Sequence, residues 1–173
     1  MDVARVQRPS LAAAAPRAQL NFEVGFKTDG IAALEAKRVV AIARDRRLTQ
    51  EAEQQLAQAL LRLRQLRTGP LAVVELLAED ALELSPPMRV ERSTGLLQLL
   101  SNAETHVATV VQGIGSTAES YRAFVLGVVQ GNVRFSLHEE PASAISWASH
   151  RAGASRSEVA ELLGLAQSLA ARP

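Results

Sequence analysis

Cysteine is missing from this 173-residue chain. Its absence removes disulfides, thiolate nucleophiles, iron–sulfur clusters and cysteine-ligated zinc together. Aromatic residues are scarce, at 3% against 47% apolar residues, so any core must be assembled from Leu, Val and Ala. That composition favours helix packing over a large sheet, because sheets lean on aromatic and β-branched side chains. A net charge of +1 gives no global attraction for a polyanion, and a nucleic-acid interface would have to rest on a local patch. Long hydrophobic runs are also lacking: Arg, Glu or Gly interrupts each one before the roughly 20 residues needed to cross a bilayer. These absences predict a cytoplasmic protein of bacterial type without a membrane span.

What is present is read first as helix. Residues 1–20 carry Arg5, Arg8 and Arg17 against Asp2, and Pro9 and Pro16 interrupt them. They are expected to form a mobile N-terminal arm. A transit peptide or a leaderless secretion signal would share this composition. Residues 21–173 are expected to fold as a single, mostly α-helical domain. Phe22, Val24 and Phe26 alternate with other residues before Asp29-Gly30, a strand signal. Helical spacing follows at Ile31, Leu34, Val39 and Ile42. A second helix is capped by Thr49 and carries Leu56, Leu60, Leu63 and Leu66. A third is expected from Pro70, stopped by Ser85-Pro86-Pro87. A fourth is expected from Thr94 to Ile114, and a fifth from a Ser116/Glu119 capping box. A sixth runs from Pro141 to Gly153, and a Ser155/Glu158 box opens the last. The expected fold class is therefore mainly α: a bundle of about seven helices, with a small two-stranded β ribbon pairing about 21–28 with 132–138.

Little in the sequence points to chemistry. His106, His138 and His150 lack the i, i+4 spacing of a helical metal motif, and no HExxH is present, so no metal site is expected. In the stretch "GNVRFSLHEE", Glu139 and Glu140 are adjacent, point to opposite faces of a strand, and suit the start of the next helix better than acid–base work. "GIGST", residues 113–117, lacks the Lys of a phosphate loop and reads as a helix start. No GxSxG elbow is present. The expectation leans away from an enzyme and includes no cofactor. A pocket lined by His138 and His150 is the enzyme or ligand-binding alternative.

Interaction is the leading reading. Basic residues outnumber acidic ones between Ile31 and Arg67, whereas Pro70–Leu84 carries acids and no base. Arg62, Arg64 and Arg67 flank a Leu/Ala helix and are candidate partner-binding residues. The strand edges of 21–28 and 132–138 offer a second mode of docking. The chain is therefore expected to be a non-enzymatic adapter or regulatory protein that binds a protein partner or its own copies. The alternative is a DNA-binding regulator using residues 142–170. There Ala152-Gly153 would turn between two helices, and Arg156, Ser157 and Glu161 would face the major groove. Residues Tyr121 to Ala166 also resemble the last helices of the alkylhydroperoxidase and carboxymuconolactone decarboxylase superfamily. The redox members of that superfamily use a Cys-x-x-Cys pair, and here the matching place reads Asn132, Val133, Arg134 and Phe135. The resemblance implies an all-helical fold and not the thiol chemistry.

Overall fold

In the computed structural model, residues 31–35, 38–155, 159, 160 and 164 are described. Among the described residues the chain runs through five strands and four helices, alternating after β2: β1 Ile31–Glu35, β2 Val39–Arg44, α1 Gln50–Leu66, β3 Leu71–Leu77, α2 Pro86–Ser101, β4 Thr105–Val111, α3 Ser116–Val129, β5 Phe135–His138 and α4 Pro141–Ala152. The strands lie side by side in the order β1-β2-β3-β4-β5. β1 is antiparallel to β2, and β2 through β5 are mutually parallel.

The architecture follows from the crossovers. Each parallel neighbour is reached through one helix, and a right-handed crossover repeated in one direction puts every such helix on the same face. α1, α2 and α3 accordingly share one core with Val40, Ile42, Val73, Leu77, Val107 and Val111 of the sheet. α4 lies alone on the opposite face. There its Ala144, Ile145, Ala148 and Ala152 pack on Ala72, Val74, Ala108 and Val110. Alternate residues of β3 thus serve two different cores, and all seven are buried.

The expected seven-helix bundle is overturned, and with it the all-helical class implied by the superfamily resemblance. The segments read as helices around residues 31–42 and 70–84 are β1, β2 and β3. The segment read as one helix from Thr94 to Ile114 is the end of α2 followed by β4. The physical reason is burial on both faces: a strand covered on two sides reads as a continuous apolar run and loses its period of two. Pro86 and Pro87 open α2 instead of ending a helix, since proline suits a first turn where the missing N–H costs nothing. β5 takes β4 as its parallel partner, through Val107↔Phe135 to Val110↔His138; the mate expected at 21–28 lies outside the described residues, as does the arm 1–20.

Several local readings hold. Thr49 is the N-cap of α1, its hydroxyl accepting from the Ala52 N–H at 3.2 Å. α4 runs from Pro141 to a left-handed Gly153. The expected Ser116/Glu119 box does not form, because Gly115 occupies the N-cap of α3. Val133, two residues before β5, is 79% exposed.

Candidate functional site

The most polar place inside the protein lies under the helices at the middle of the sheet. Glu75 stands in an otherwise apolar β3 and points toward α1–α3, opposite Thr109 of β4. Its carboxylate receives both terminal nitrogens of Arg92 from α2, one of them at 2.6 Å. The Thr109 hydroxyl donates to the same carboxylate at 3.2 Å. Arg92 Nε donates to the Tyr121 hydroxyl at 3.2 Å. Alongside, Arg44 at the end of β2 pairs with Glu53 of α1. All four charged side chains are buried, so two cations and two anions neutralise each other in a water-poor interior.

Burial pushes the Glu75 carboxyl upward, but the charge and hydrogen bonds of Arg92, helped by Arg44 and Thr109, outweigh it and hold the group below the usual carboxylate range. Burial alone would ease the proton off Arg92, yet Glu75 holds it on, well above the ordinary guanidinium value. Burial also raises the Tyr121 phenol. Every one of these directions favours a fixed ion pair over a proton carrier. The network joins β2, β3, β4, α1, α2 and α3, which is what a structural clamp requires.

Above it, at the C-terminal end of the parallel strands, lies a small open cleft of about 220 Å³. Leu82, Leu84, Tyr121 and Phe124 give it apolar walls, and Glu83 and Arg89 stand at the same site with the hydroxyls of Ser116, Thr117 and Ser120. Beside it, the β4–α3 turn displays Ile114 at 92% exposure. Gly113 and Gly115 flank Ile114 at φ +121° and +113°, a region that L side chains rarely adopt. Arg122 braces the turn, donating to the Val111 and Gly113 carbonyls at 3.0 Å each.

A second polar group sits on the α4 side. Trp147 has His106 and His138 around it, each with ring centroids 6.1 Å from the indole, and Arg151 lies 5.5 Å over its ring. His138 Nδ1 is 2.9 Å from the Ser143 hydroxyl. Burial lowers both imidazoles, and the nearby charges of Arg151 and Arg134 lower His106 further. His150 is exposed in the last turn of α4. Among the described residues no hydrogen bond or ring contact joins His150 to His138, and no group of three His or carboxylate side chains is arranged to hold a metal ion.

The three candidate arginines of α1 separate. Arg62 is exposed and Arg67 half-buried. Arg64 is buried; it donates to the Gly69 carbonyl at 2.7 Å and the Arg67 carbonyl at 3.2 Å, and meets Glu104 at 3.4 Å. It therefore closes the C-terminus of its own helix, where a cation suits the dipole. Arg156, Ser157 and Glu161 lie outside the described residues. No helix among the described residues is long and apolar enough to cross a membrane. The buried clamp was not anticipated, although a lone Glu75 inside "LAVVELLA" is a signal: a charge in so apolar a run needs a buried partner.

Comparison with known protein families, with characterised proteins and with solved structures returns no match.

Proposed function

We propose that this chain is a non-enzymatic interaction protein, an adapter or regulatory subunit that works through its surface. One observation carries the reading. Five of the six large apolar side chains exposed among the described residues, Val90, Leu97, Ile114, Leu126 and Val133, lie on α2, on α3 or in the turns flanking α3. Val90 and Leu97, seven residues apart on α2, share one helix face, and exposed apolar residues that share a face mark an association surface, whereas isolated ones need no explanation. The sixth, Leu66, lies one turn from the exposed Arg62 of α1, which keeps that helix end in the reading.

Two further features support it. Among the described strands the order runs steadily from β1 to β5 with no point at which the winding reverses, and that reversal is where open α/β sheets form their ligand crevice. The ionic groups that might do chemistry are engaged with each other below the surface. β5, at an edge of the sheet among the described strands, offers backbone groups to a partner strand. A cytoplasmic setting is part of this proposal.

The test is site-specific photo-crosslinking in the producing cell. Probes at Leu97 and Leu126 are expected to give discrete adducts, and a probe at Gln58 on the exposed side of α1 is expected to give few. Absence of adducts at both apolar positions would overturn the reading.

A further inference from the structure

We propose that the surface at the C-terminal end of the sheet takes a second copy of this chain, each copy seating its Ile114 in the cleft of the other about a two-fold axis. The proposal rests on the interaction reading and names its partner.

A knob and a hole stand side by side on the same rim. The knob is Ile114, held out by two glycines in backbone conformations that fix the turn and braced by Arg122. So exposed a branched side chain on a braced turn is pre-organised, and little chain entropy is lost when it is buried. The hole is the neighbouring cleft, where Phe124 and the edges of Leu82 and Leu84 form an apolar floor under a rim of Ser116, Thr117 and Ser120 hydroxyls. At about 220 Å³ it falls below the roughly 300–1,000 Å³ of small-molecule sites, and suits a single side chain.

Charge complementarity favours a second copy. Glu83 and Arg89 sit together at the cleft. A two-fold contact presents the same patch from both sides, so residue i meets j and j meets i. The anion of each copy then meets the cation of the other. Glu83 already pairs with Arg47, but that contact is long, 3.6 Å, with both side chains exposed, so little is lost when it is exchanged. Arg89 rests over the Phe124 ring, 5.6 Å from its centroid, and so stands where an incoming knob would be framed.

Light scattering and sedimentation of the full chain at micromolar concentration test the pairing. The wild type is expected to be a dimer. Ile114→Asp is expected to raise the dimer Kd roughly 30-fold or more, the loss typical of a central anchor, with unchanged circular dichroism because the side chain is already in solvent. Glu83→Arg and Arg89→Glu are each expected to weaken the dimer roughly tenfold, as for charge reversal at an interface, and the double variant to restore it. A monomeric wild type, an Ile114→Asp dimer of unchanged affinity, or a double variant no better than the singles would overturn the proposal. A monomeric wild type that still gives heterologous adducts at Leu97 or Leu126 overturns the self-pairing alone, whereas loss of all adducts overturns the interaction reading as well.

Discussion

Replacing Arg92 by methionine keeps a long side chain in place but removes the guanidinium that gives Glu75 two hydrogen bonds. Glu75 is 1% exposed, so water cannot replace the lost partner, and Thr109 supplies one hydroxyl only. Breaking a buried ion pair from one side costs about 3–5 kcal/mol, against a total of about 5–15 kcal/mol for an ordinary domain. For a chain of this length that corresponds to a fall in Tm of roughly 6–20 °C. The pH dependence should also reverse. In the wild type the folded-state value of Glu75 is depressed, so the stabilisation is present above the ordinary carboxylate range and is lost as pH falls through the folded value. In Arg92→Met burial dominates and raises that value, so the variant should lose stability as pH rises, and its deficit should be greatest near neutrality. Urea unfolding at pH 7 and pH 4.5 measures both effects. Glu75→Leu/Arg92→Met, which removes both charges, should recover most of the loss. A single variant that loses less than about 1 kcal/mol, or a double variant as unstable as the single, would refute the clamp.

Three other outcomes follow from the packing. Gly95 of α2 faces α1 so closely that a Cβ would lie 2.9 Å from the Cβ of Ala57. Gly95→Ala should therefore destabilise, since crowding of about 1–3 kcal/mol exceeds the gain in helix propensity, whereas Gly127→Ala, with open space around it, should stabilise by about 0.5–1 kcal/mol in the same unfolding assay. The depressed values of His106 and His138 mean that their neutral forms suit the fold. Their contribution is present above the ordinary imidazole value of 6.5 and is lost as pH falls through the folded values. Fluorescence of Trp147, the single tryptophan, should report a midpoint below 6.5, and a midpoint above it would contradict the packing. Arg64→Ala should cost about 1–2 kcal/mol by leaving the end of α1 uncapped, while Arg62→Ala should stay within about 0.5 kcal/mol.

The elements that were legible in the sequence carry local signals. Thr49 before α1, and Pro141 and Gly153 around α4, are backbone instructions that need no knowledge of the fold. The parallel strands carry no such signal. "VVAIAR", "LAVVELL" and "THVATVV" are buried on two faces, so helix and strand templates fit them equally. Gly69-Pro70 and Ser85-Pro86-Pro87 were ambiguous for a related reason: each marks a boundary without saying what lies on either side. The clamp was only half legible. Glu75 is conspicuous among Leu and Val, but its partner Arg92 lies 17 residues away in the segment between two expected helices. Ile114 stood in plain view in "GIGST"; only the three-dimensional placement of Leu82, Leu84 and Phe124 beside it gives it a meaning.

The central claim is that the buried charges hold the fold and the exposed apolar side chains of α2, α3 and the turns around α3 do the work. Photo-crosslinking from Leu126 in the producing cell separates the two when it is run in three backgrounds. The adducts of the wild type should persist in Glu75→Leu/Arg92→Met, whose exposed apolar side chains are intact, and should be lost when Val90 and Leu97, on the exposed face of α2, are both changed to Asp. Adducts lost in the first variant while its fold is retained, or kept in the second, would contradict the account.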